Sequence, residues 1–407
     1  MKIFILIHTN PFVESSASAN RWLTLIEGLA KLRAELHLFI YGGYKSFAEK
    51  EEWGKEGSRQ QIEYEYINQE VNEGYWKSRY NNYIGHYFTA NKTRKKLLKL
   101  LSSQKGVVWT DSSTFGFQMA TSLKKKQVKD LKLFLELSEF LDIYKYNKGN
   151  FLQRWKAAKR QKFFEKKAFY AYDGLALMTR TLFKHYTNFR PPIPKLLHLP
   201  MTVDLERFNE NIKPLTDFKK PYIAFVGVMN DAKDGVSILI KAFAKITTEF
   251  PELNLYLVGG WNYDTPIHKQ LIEDFNLKDK VFWKGAFDRD KIPAIINNAT
   301  ILTLPRPDSK QAQGGFPTKL GEYLATGNPV CATTVGELPD YLVDGESVCF
   351  AVPGSVESFA DALRRALSNK EEAKQIGLNG RKVAERHFNK DAQAKTLYDF
   401  LQELSES

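Results

Sequence analysis

Cysteine is scarce in this 407-residue chain: there are two, Cys331 and Cys349. Neither stands in a Cys-x-x-Cys spacing, and no Cys/His cluster has the spacing of a zinc site. That excludes a disulfide scaffold and a structural zinc module, and it fits a reducing compartment. Long apolar runs are missing as well. The run Lys2–Ile7 is cut short by His8, Asn10 and Glu14, so it is expected as a first β-strand rather than an export signal. No stretch approaches the ~20 apolar residues of a membrane span, and no repeat of solenoid length recurs. Acid is in deficit, with 47 Asp and Glu against 59 Lys and Arg, a formal charge of +12. A soluble, cytoplasmic protein is expected.

The basic excess is clustered. Residues Asn91 to Gly106 carry Lys92, Arg94, Lys95, Lys96, Lys99 and Lys105 with no acid. Residues Phe151 to Lys167 carry Arg154, Lys156, Lys159, Arg160, Lys162, Lys166 and Lys167 against Glu165 alone. Both stretches are interleaved with apolar residues, Leu in the first, Phe and Trp in the second. They read either as solvated helix faces or as helices lying on an anionic membrane, where each cation contributes about 1 kcal/mol. The second reading makes the protein peripheral on the cytoplasmic face of a membrane.

With 43% hydrophobic residues the chain can build two cores. Short apolar strands alternate with amphipathic helices, the pattern of parallel α/β sheets. In the first half strands are predicted at Lys2–Ile7, Glu35–Ile40, Ile62–Ile67, Gly106–Thr110, Leu131–Leu135, Gly174–Thr179 and Lys195–Leu199. Helices are predicted at Ser18–Leu32, Tyr80–Leu101, Gly116–Leu123, Asn150–Tyr170 and Thr181–Thr187. Met201 to Lys220 is polar and irregular and reads as a linker. The alternation restarts at Tyr222 and continues with strands at Asn254–Gly259, Lys280–Trp283, Thr300–Leu304, Asn328–Ala332 and Val348–Phe350. The expected domains are 1–205, 206–390 and a last helix, 391–407, packing back on the first domain. Two doubly wound domains facing each other would bind ligands beyond their strand ends, in an interdomain cleft.

The most informative segment is Gln313-Gly314-Gly315-Phe316-Pro317-Thr318-Lys319-Leu320-Gly321-Glu322-Tyr323-Leu324-Ala325-Thr326-Gly327-Asn328-Pro329-Val330. Glycines lead into a helix with Pro317 at its start, leaving backbone N–H groups and a positive dipole end for a pyrophosphate. Thr318, Lys319 and Glu322 share one helix face. A hydroxyl, a cation and a carboxylate there suit a ligand with phosphate and sugar hydroxyls, and Glu322 can accept two hydrogen bonds from a ribose diol. Spacing alone equally allows a capped helix with a surface Lys–Glu pair.

The segment resembles the nucleotide-sugar motif of family 4 retaining glycosyltransferases, in its Phe-Pro-x-Lys-Leu-x-Glu-Tyr-Leu-Ala-x-Gly-x-Pro-Val variant. The resemblance runs through the C-terminal half, at Val226-Gly227-Val228-Met229 with Lys233 and Gly235, at Leu257-Val258-Gly259-Gly260, at Phe282-Trp283-Lys284-Gly285 and at Val335-Gly336-Glu337-Leu338-Pro339-Asp340. Leu199-Pro200, Val203-Asp204 and Arg207-Phe208 are similar to the segment that closes the family's first domain. The first half follows the family in pattern rather than motif. The resemblance implies the GT-B fold of two facing Rossmann-like domains, retention at the anomeric carbon, and a ribose contact at Glu322. Donor contacts are expected at Gly227, Lys233, Gly259, Arg306, Gly315, Phe316, Pro317, Thr318, Lys319, Leu320 and Glu322. Two positions depart: Gly314 stands where the family has a second acid contacting the donor sugar, and Val228 where it has Arg. Arg306 and Lys319, then Lys233, are the candidates to meet diphosphate charge. No Asp-x-Asp pair sits at a strand end, so neither a metal nor another cofactor is expected.

The acceptor would lie on the first half, where His8, Asp111 and Glu139 follow predicted strands and are the candidate contacts; no general base is assigned. His198, His86 and Trp283 read as packed residues. The expected partners are a nucleotide-sugar donor, a glycan or lipid-linked acceptor of cell-surface polysaccharide assembly, and an anionic membrane, without nucleic acid. The rivals are a sugar-nucleotide epimerase or phosphorylase, and a non-catalytic basic module binding membrane or nucleic acid.

Overall fold

A computed structural model of the chain describes all residues except 15, 73–85, 142–150 and 210. The chain divides into two compact units, Met1–Pro200 with Asp391–Ser407, and Met201–Lys390. The division falls after Pro200 rather than at 205, so Met201 to Leu205 belong to the second unit. The last helix, Lys390–Glu406, places Leu397, Phe400, Leu401 and Leu404 in the core of the first.

The first unit is one sheet of eight described strands, in chain order β1 (Lys2–Ile7), β2 (Glu35–Ile40), β3 (Glu56–Arg59), β4 (Ile62–Tyr66), β5 (Gly106–Thr110), β6 (Leu131–Leu137), β7 (Gly174–Leu177) and β8 (Lys195–His198). Their spatial order is β3-β4-β2-β1-β5-β6-β7-β8, parallel except for β3 against β4. Strands β1, β2 and β5 are buried almost throughout, which is why they read as continuous apolar runs. β3 carries no apolar pattern and is exposed along its length, so the sequence offered no sign of it. The starts of the helices expected at Tyr80 and Asn150 lie outside the described residues, as does the side chain of His86. The second of these helices is not uniform. It is α-helical over Phe151–Phe163, widens to a π turn over Phe164–Ala168 and tightens to 3₁₀ over Phe169–Ala171. The change of pitch turns Phe164, Ala168 and Phe169 all inward, where Phe164 meets Phe117 and Phe169 stacks on Tyr186.

The second unit is a parallel sheet of β9 (Tyr222–Val226), β10 (Asn254–Val258), β11 (Val281–Gly285), β12 (Ile301–Leu304), β13 (Val330–Thr333) and β14 (Cys349–Ala351), ordered β11-β10-β9-β12-β13-β14. In each unit the strand order reverses beside the first strand, between β1 and β5 and between β9 and β12. Loops diverge at such a point and leave a crevice beyond the carboxyl ends of the strands. The candidate residues collect at these two places.

Candidate functional site

In the second unit the helix Thr318–Ala325 starts beyond the reversal between β9 and β12. Pro317 is its N-cap and makes no side-chain cap bond to the N–H groups of its first turn. Tyr323 fixes the helix to the sheet: its hydroxyl accepts from Val226 N at 2.8 Å. Lys319 does not pair with Glu322. Its ammonium lies 2.8 Å from Asp234 Oδ1 and 4.3 Å from the Phe225 ring centroid. Glu322 accepts from Arg207 Nη1 at 3.0 Å, and Arg207 Nη2 donates to the Arg289 carbonyl at 2.8 Å. Burial pushes the Glu322 carboxyl up, against the pull of the Arg207 and Arg289 charges. Burial pushes the Lys319 ammonium down, opposed by Asp234 and assisted by the nearby cations Arg306 and Lys233. The result is a cluster of cations at a helix N-terminus, Lys319 balanced by Asp234, with the Glu322 carboxylate a turn further along.

Two glycines make this approach possible. Gly227 has φ +151°, and a Cβ there would run into the Lys319 ammonium. A Cβ on Gly259 would run into the Gly227 carbonyl oxygen. Both spaces are filled only because neither residue has a side chain.

The other expected donor residues sort by what they touch. Arg306 is 2% exposed, far from a surface cation. It donates to the carbonyls of Lys233 at 3.2 Å and Gly315 at 3.3 Å, tying together the loops after β9 and β12. Lys233 is half-buried and its N–H is capped by Asn230 at 2.9 Å. Phe316 packs its ring against Tyr341 and Phe388, leaving only its backbone for a ligand. Leu320 is fully buried and gives its N–H to the Pro317 carbonyl at 2.9 Å, so it braces the helix rather than facing a ligand. Gly315 and Thr318 are half-buried at the mouth of the helix. Trp283 is not a full core residue: half-buried, it stacks on the exposed Trp261 at 5.4 Å and donates to the Gly259 carbonyl at 2.9 Å. The sequence Asp288-Arg289-Asp290 does form an Asp-x-Asp, but in a turn beyond β11 with both acids exposed.

In the first unit the reversal between β1 and β5 opens a cavity of about 250 Å³. Its wall comes from the ends of β1 (His8, Thr9), β5 (Asp111, Ser112, Ser113) and β6 (Glu136, Ser138), with Arg160 from the helix Phe151–Phe163. Asp111 accepts from the Tyr41 hydroxyl at 2.7 Å and from Ser113 N at 3.3 Å, and Tyr41 lies 2.8 Å from Ser113 Oγ. Burial pushes the Asp111 carboxyl up; the Ser113 and Tyr41 hydrogen bonds and the His8 charge act the other way. Arg160 hydrogen-bonds the Ser112 carbonyl; burial pulls its pKa down, and the charge of Asp111 opposes this. Glu136 is held by Arg21 at 3.3 Å, and Arg21 reaches on to the carbonyls of Leu199 and Pro200. Asn10 orders the first loop, donating to the Tyr66 hydroxyl at 2.8 Å.

His8 and Asp111 therefore meet in one cavity. Glu139 is not part of that wall; Glu136, the last acid on β6, is. The residues that sequence reading passed over are Arg207, Asp234 and Arg289 in the second unit and Tyr41, Glu136 and Arg160 in the first. Arg207 stood in a segment already recognised, Glu136 beside the candidate Glu139 and Arg160 in a basic stretch; what brings them, with Tyr41, Asp234 and Arg289, to these sites is folding.

Residues 206–383 match the family of glycosyl transferases, group 1. The MMP alpha-(1->4)-mannosyltransferase of Mycolicibacterium hassiacum is 27% identical over 198 residues, which cover 48% of this chain and 46% of that protein. A GDP-mannose-dependent alpha-(1-6)-phosphatidylinositol monomannoside mannosyltransferase of Mycobacterium tuberculosis is 26% identical over 220 residues, 52% of this chain and 56% of that protein. The alignments thus span about half the length of these curated relatives. Among solved structures, sucrose-phosphate synthase from Thermosynechococcus elongatus superposes with TM-score 0.76 at 16% identity, over 99% of both chains. Anabaena HepE, solved with UDP, superposes with TM-score 0.68 at 14% identity, over 99% of this chain and 100% of that one. The fold is that of the GT-B class, and the likeness to group 1 glycosyl transferases lies in residues 206–383 of the second unit.

Proposed function

We propose that this protein is a glycosyltransferase, moving a sugar from a nucleoside-diphosphate donor held by the second unit to a hydroxyl of an acceptor held by the first. The observation that carries the reading is the helix Thr318–Ala325, with no side-chain cap bond from Pro317 at its N-terminus, Lys319 at its mouth and Glu322 held by Arg207 one turn on. As the donor's bond between anomeric carbon and phosphate oxygen breaks, negative charge grows on the diphosphate. The Lys319 ammonium and the first-turn N–H groups stand where that charge can be met without a divalent cation. The Glu322 carboxyl, held by Arg207, has lone pairs left for a ribose diol. Retention of anomeric configuration follows from the family resemblance. In that course the acceptor hydroxyl forms the new bond to the anomeric carbon and its proton goes to the departing phosphate.

The first-unit cavity, rich in serine and threonine hydroxyls with Asp111 and Arg160 set among them, suits a polyhydroxylated acceptor, a glycan or the sugar of a lipid-linked precursor in cell-surface polysaccharide or glycolipid synthesis at the cytoplasmic face of a membrane. The relatives named above support this class of reaction; none of them is an epimerase, a phosphorylase or a non-catalytic binding module.

Thermal shift against uridine, guanosine, adenosine and cytidine diphosphates and their sugars, without metal, tests the reading. A ligand at about 100 times its Kd stabilises the fold by about 2.7 kcal/mol. One nucleotide should raise Tm, and Glu322→Ala should abolish the rise. No shift with any nucleotide would remove the donor site from the account.

A further inference from the structure

The two basic stretches of the first unit differ once folded. The helix His86–Leu101 turns Leu97 and Leu101 fully into the core and pairs Lys96 with Glu65 at 2.9 Å. Its leucines are spent on packing, Leu97 and Leu101 in the core and Leu98 and Leu100 against it, and its lysines form a solvated face. The helix Phe151–Phe163 does the reverse. Ala157 is its buried residue, and Arg160, on the same side, enters the cavity wall. Phe151, Leu152 and Trp155 are 74%, 64% and 51% exposed.

At about 100° per residue, Phe151, Leu152, Trp155, Lys159 and Lys162 fall within an arc of roughly 100°, opposite the side that carries Ala157 and Arg160. The outward stripe therefore has an apolar tip followed by a cationic shaft. Lys159 sits 5.0 Å from the Trp155 ring centroid, so the aromatic and basic parts of the stripe adjoin. Arg154 and Lys156 flank it, and no acid occurs on the helix.

We propose that the outward stripe of helix Phe151–Phe163 docks the first unit on an anionic lipid bilayer, with Phe151, Leu152 and Trp155 entering the interface and Lys159 and Lys162 meeting the headgroups. Three large apolar side chains exposed side by side on one helical turn lose hydration only against hydrocarbon or a matching apolar surface. The cations beside them select an anionic boundary, and a bilayer of acidic lipids offers both at the spacing of one helix. Nucleic acid would use the cations but offers no hydrocarbon for Phe151 and Leu152. One consequence rests on the acceptor reading above. Trp155 and Arg160 are five residues apart, about 7.5 Å along the helix axis. A docked helix would hold the cavity wall within reach of a sugar borne on a lipid headgroup.

The test is flotation of the whole protein with phosphatidylcholine vesicles made with and without phosphatidylglycerol, at low and high salt, with the tryptophan emission of the wild type read against that of Trp155→Phe. The expected result is binding to the anionic vesicles only, a blue shift of emission that Trp155→Phe lacks, and release by salt. Phe151→Ser/Leu152→Ser/Trp155→Ser and, separately, Lys159→Glu/Lys162→Glu should each weaken binding by roughly tenfold or more. Lys95→Glu/Lys99→Glu, on the other basic helix, should change it by less than about twofold. Equal binding to neutral vesicles, wild-type binding by the triple variant, or retention on heparin without any vesicle binding would each overturn the proposal. The nucleotide shift of the same variants separates this outcome from the donor reading. A variant that keeps its shift and loses the vesicles supports docking, whatever the fate of the transfer reaction.

Discussion

Both units place polar residues beyond a strand-order reversal, yet they hold them in different ways. In the second unit charge is held by charge: Lys319 by Asp234 at 2.8 Å, Glu322 by Arg207 at 3.0 Å. In the first, Asp111 is held by neutral donors, the Tyr41 hydroxyl and a backbone N–H, although Glu136 in the same wall keeps an ion pair with Arg21. Ion pairs keep side chains extended and oriented before a ligand arrives, at a desolvation cost that their geometry must offset. A hydroxyl-lined cavity is less committed and can exchange its hydrogen bonds for those of a sugar with little charge rearrangement. On the proposed reading, the ion pairs of the second unit suit a charged donor, and the cavity of the first suits a polar acceptor recognised by shape and hydrogen bonding.

The severest way to break this comparison is to disturb the backbone that sets the ion pairs. Gly259→Ala would drive a Cβ into the Gly227 carbonyl, with no flexible side chain to yield. The expected cost is about 3 kcal/mol or more, with loss of any nucleotide-dependent shift, measured by urea unfolding and thermal shift. A neutral result would mean that the close approach of the two strand ends does not order the site.

Glu322→Gln comes next. It keeps the shape and an acceptor for Arg207, but removes the charge that Arg207 and Arg289 face. Nucleotide affinity should fall roughly tenfold to a hundredfold, the worth of about 1–3 kcal/mol in charged hydrogen bonds, by isothermal titration. A vesicle-binding assay should not register the change.

Why the second unit was legible and the first only in outline follows from where the residues lie in the chain. Gly315, Thr318, Lys319 and Glu322 fall within eight consecutive positions, so the glycine approach and the helix face shared by the last three can be counted from the sequence. The strands were readable for the same local reason, since β1, β2, β5, β9 and β10 are runs of buried apolar residues. The cavity of the first unit gathers His8, Tyr41, Asp111, Glu136 and Arg160, which no local period links. Folding also reassigned roles within the motif. The sequence distinguishes neither a lysine aimed at Asp234 from one aimed at Glu322, nor a buried Arg306 holding two carbonyls from an exposed cation. Leu320 and Phe316 were counted as ligand contacts because they sit in the motif, though their side chains serve the packing beneath it.

The first unit's acids sharpen the contrast, since nucleotide affinity should not register them. Asp111→Asn should leave nucleotide binding unchanged and cut sugar transfer roughly tenfold to a hundredfold, as loss of a buried acceptor contact would. Transfer is read with labelled donor. Its effect on stability should depend on pH, with a sign set by burial. The folded-state carboxyl lies above its unfolded value, so its contribution is fully present below the unfolded pKa and is lost as pH rises through the folded pKa. Asparagine stays neutral throughout. The urea midpoint of the variant should therefore gain on that of the wild type as pH rises through and above the carboxylate range; a pH-independent difference would place the Asp111 carboxylate in solvent. Glu139→Gln, outside the cavity wall, should shift the midpoint by less than about 0.5 kcal/mol and leave transfer within about twofold. If Glu139 instead proved the more sensitive of the two, the acceptor would be read from the loop after β6 rather than from the cavity between β1 and β5.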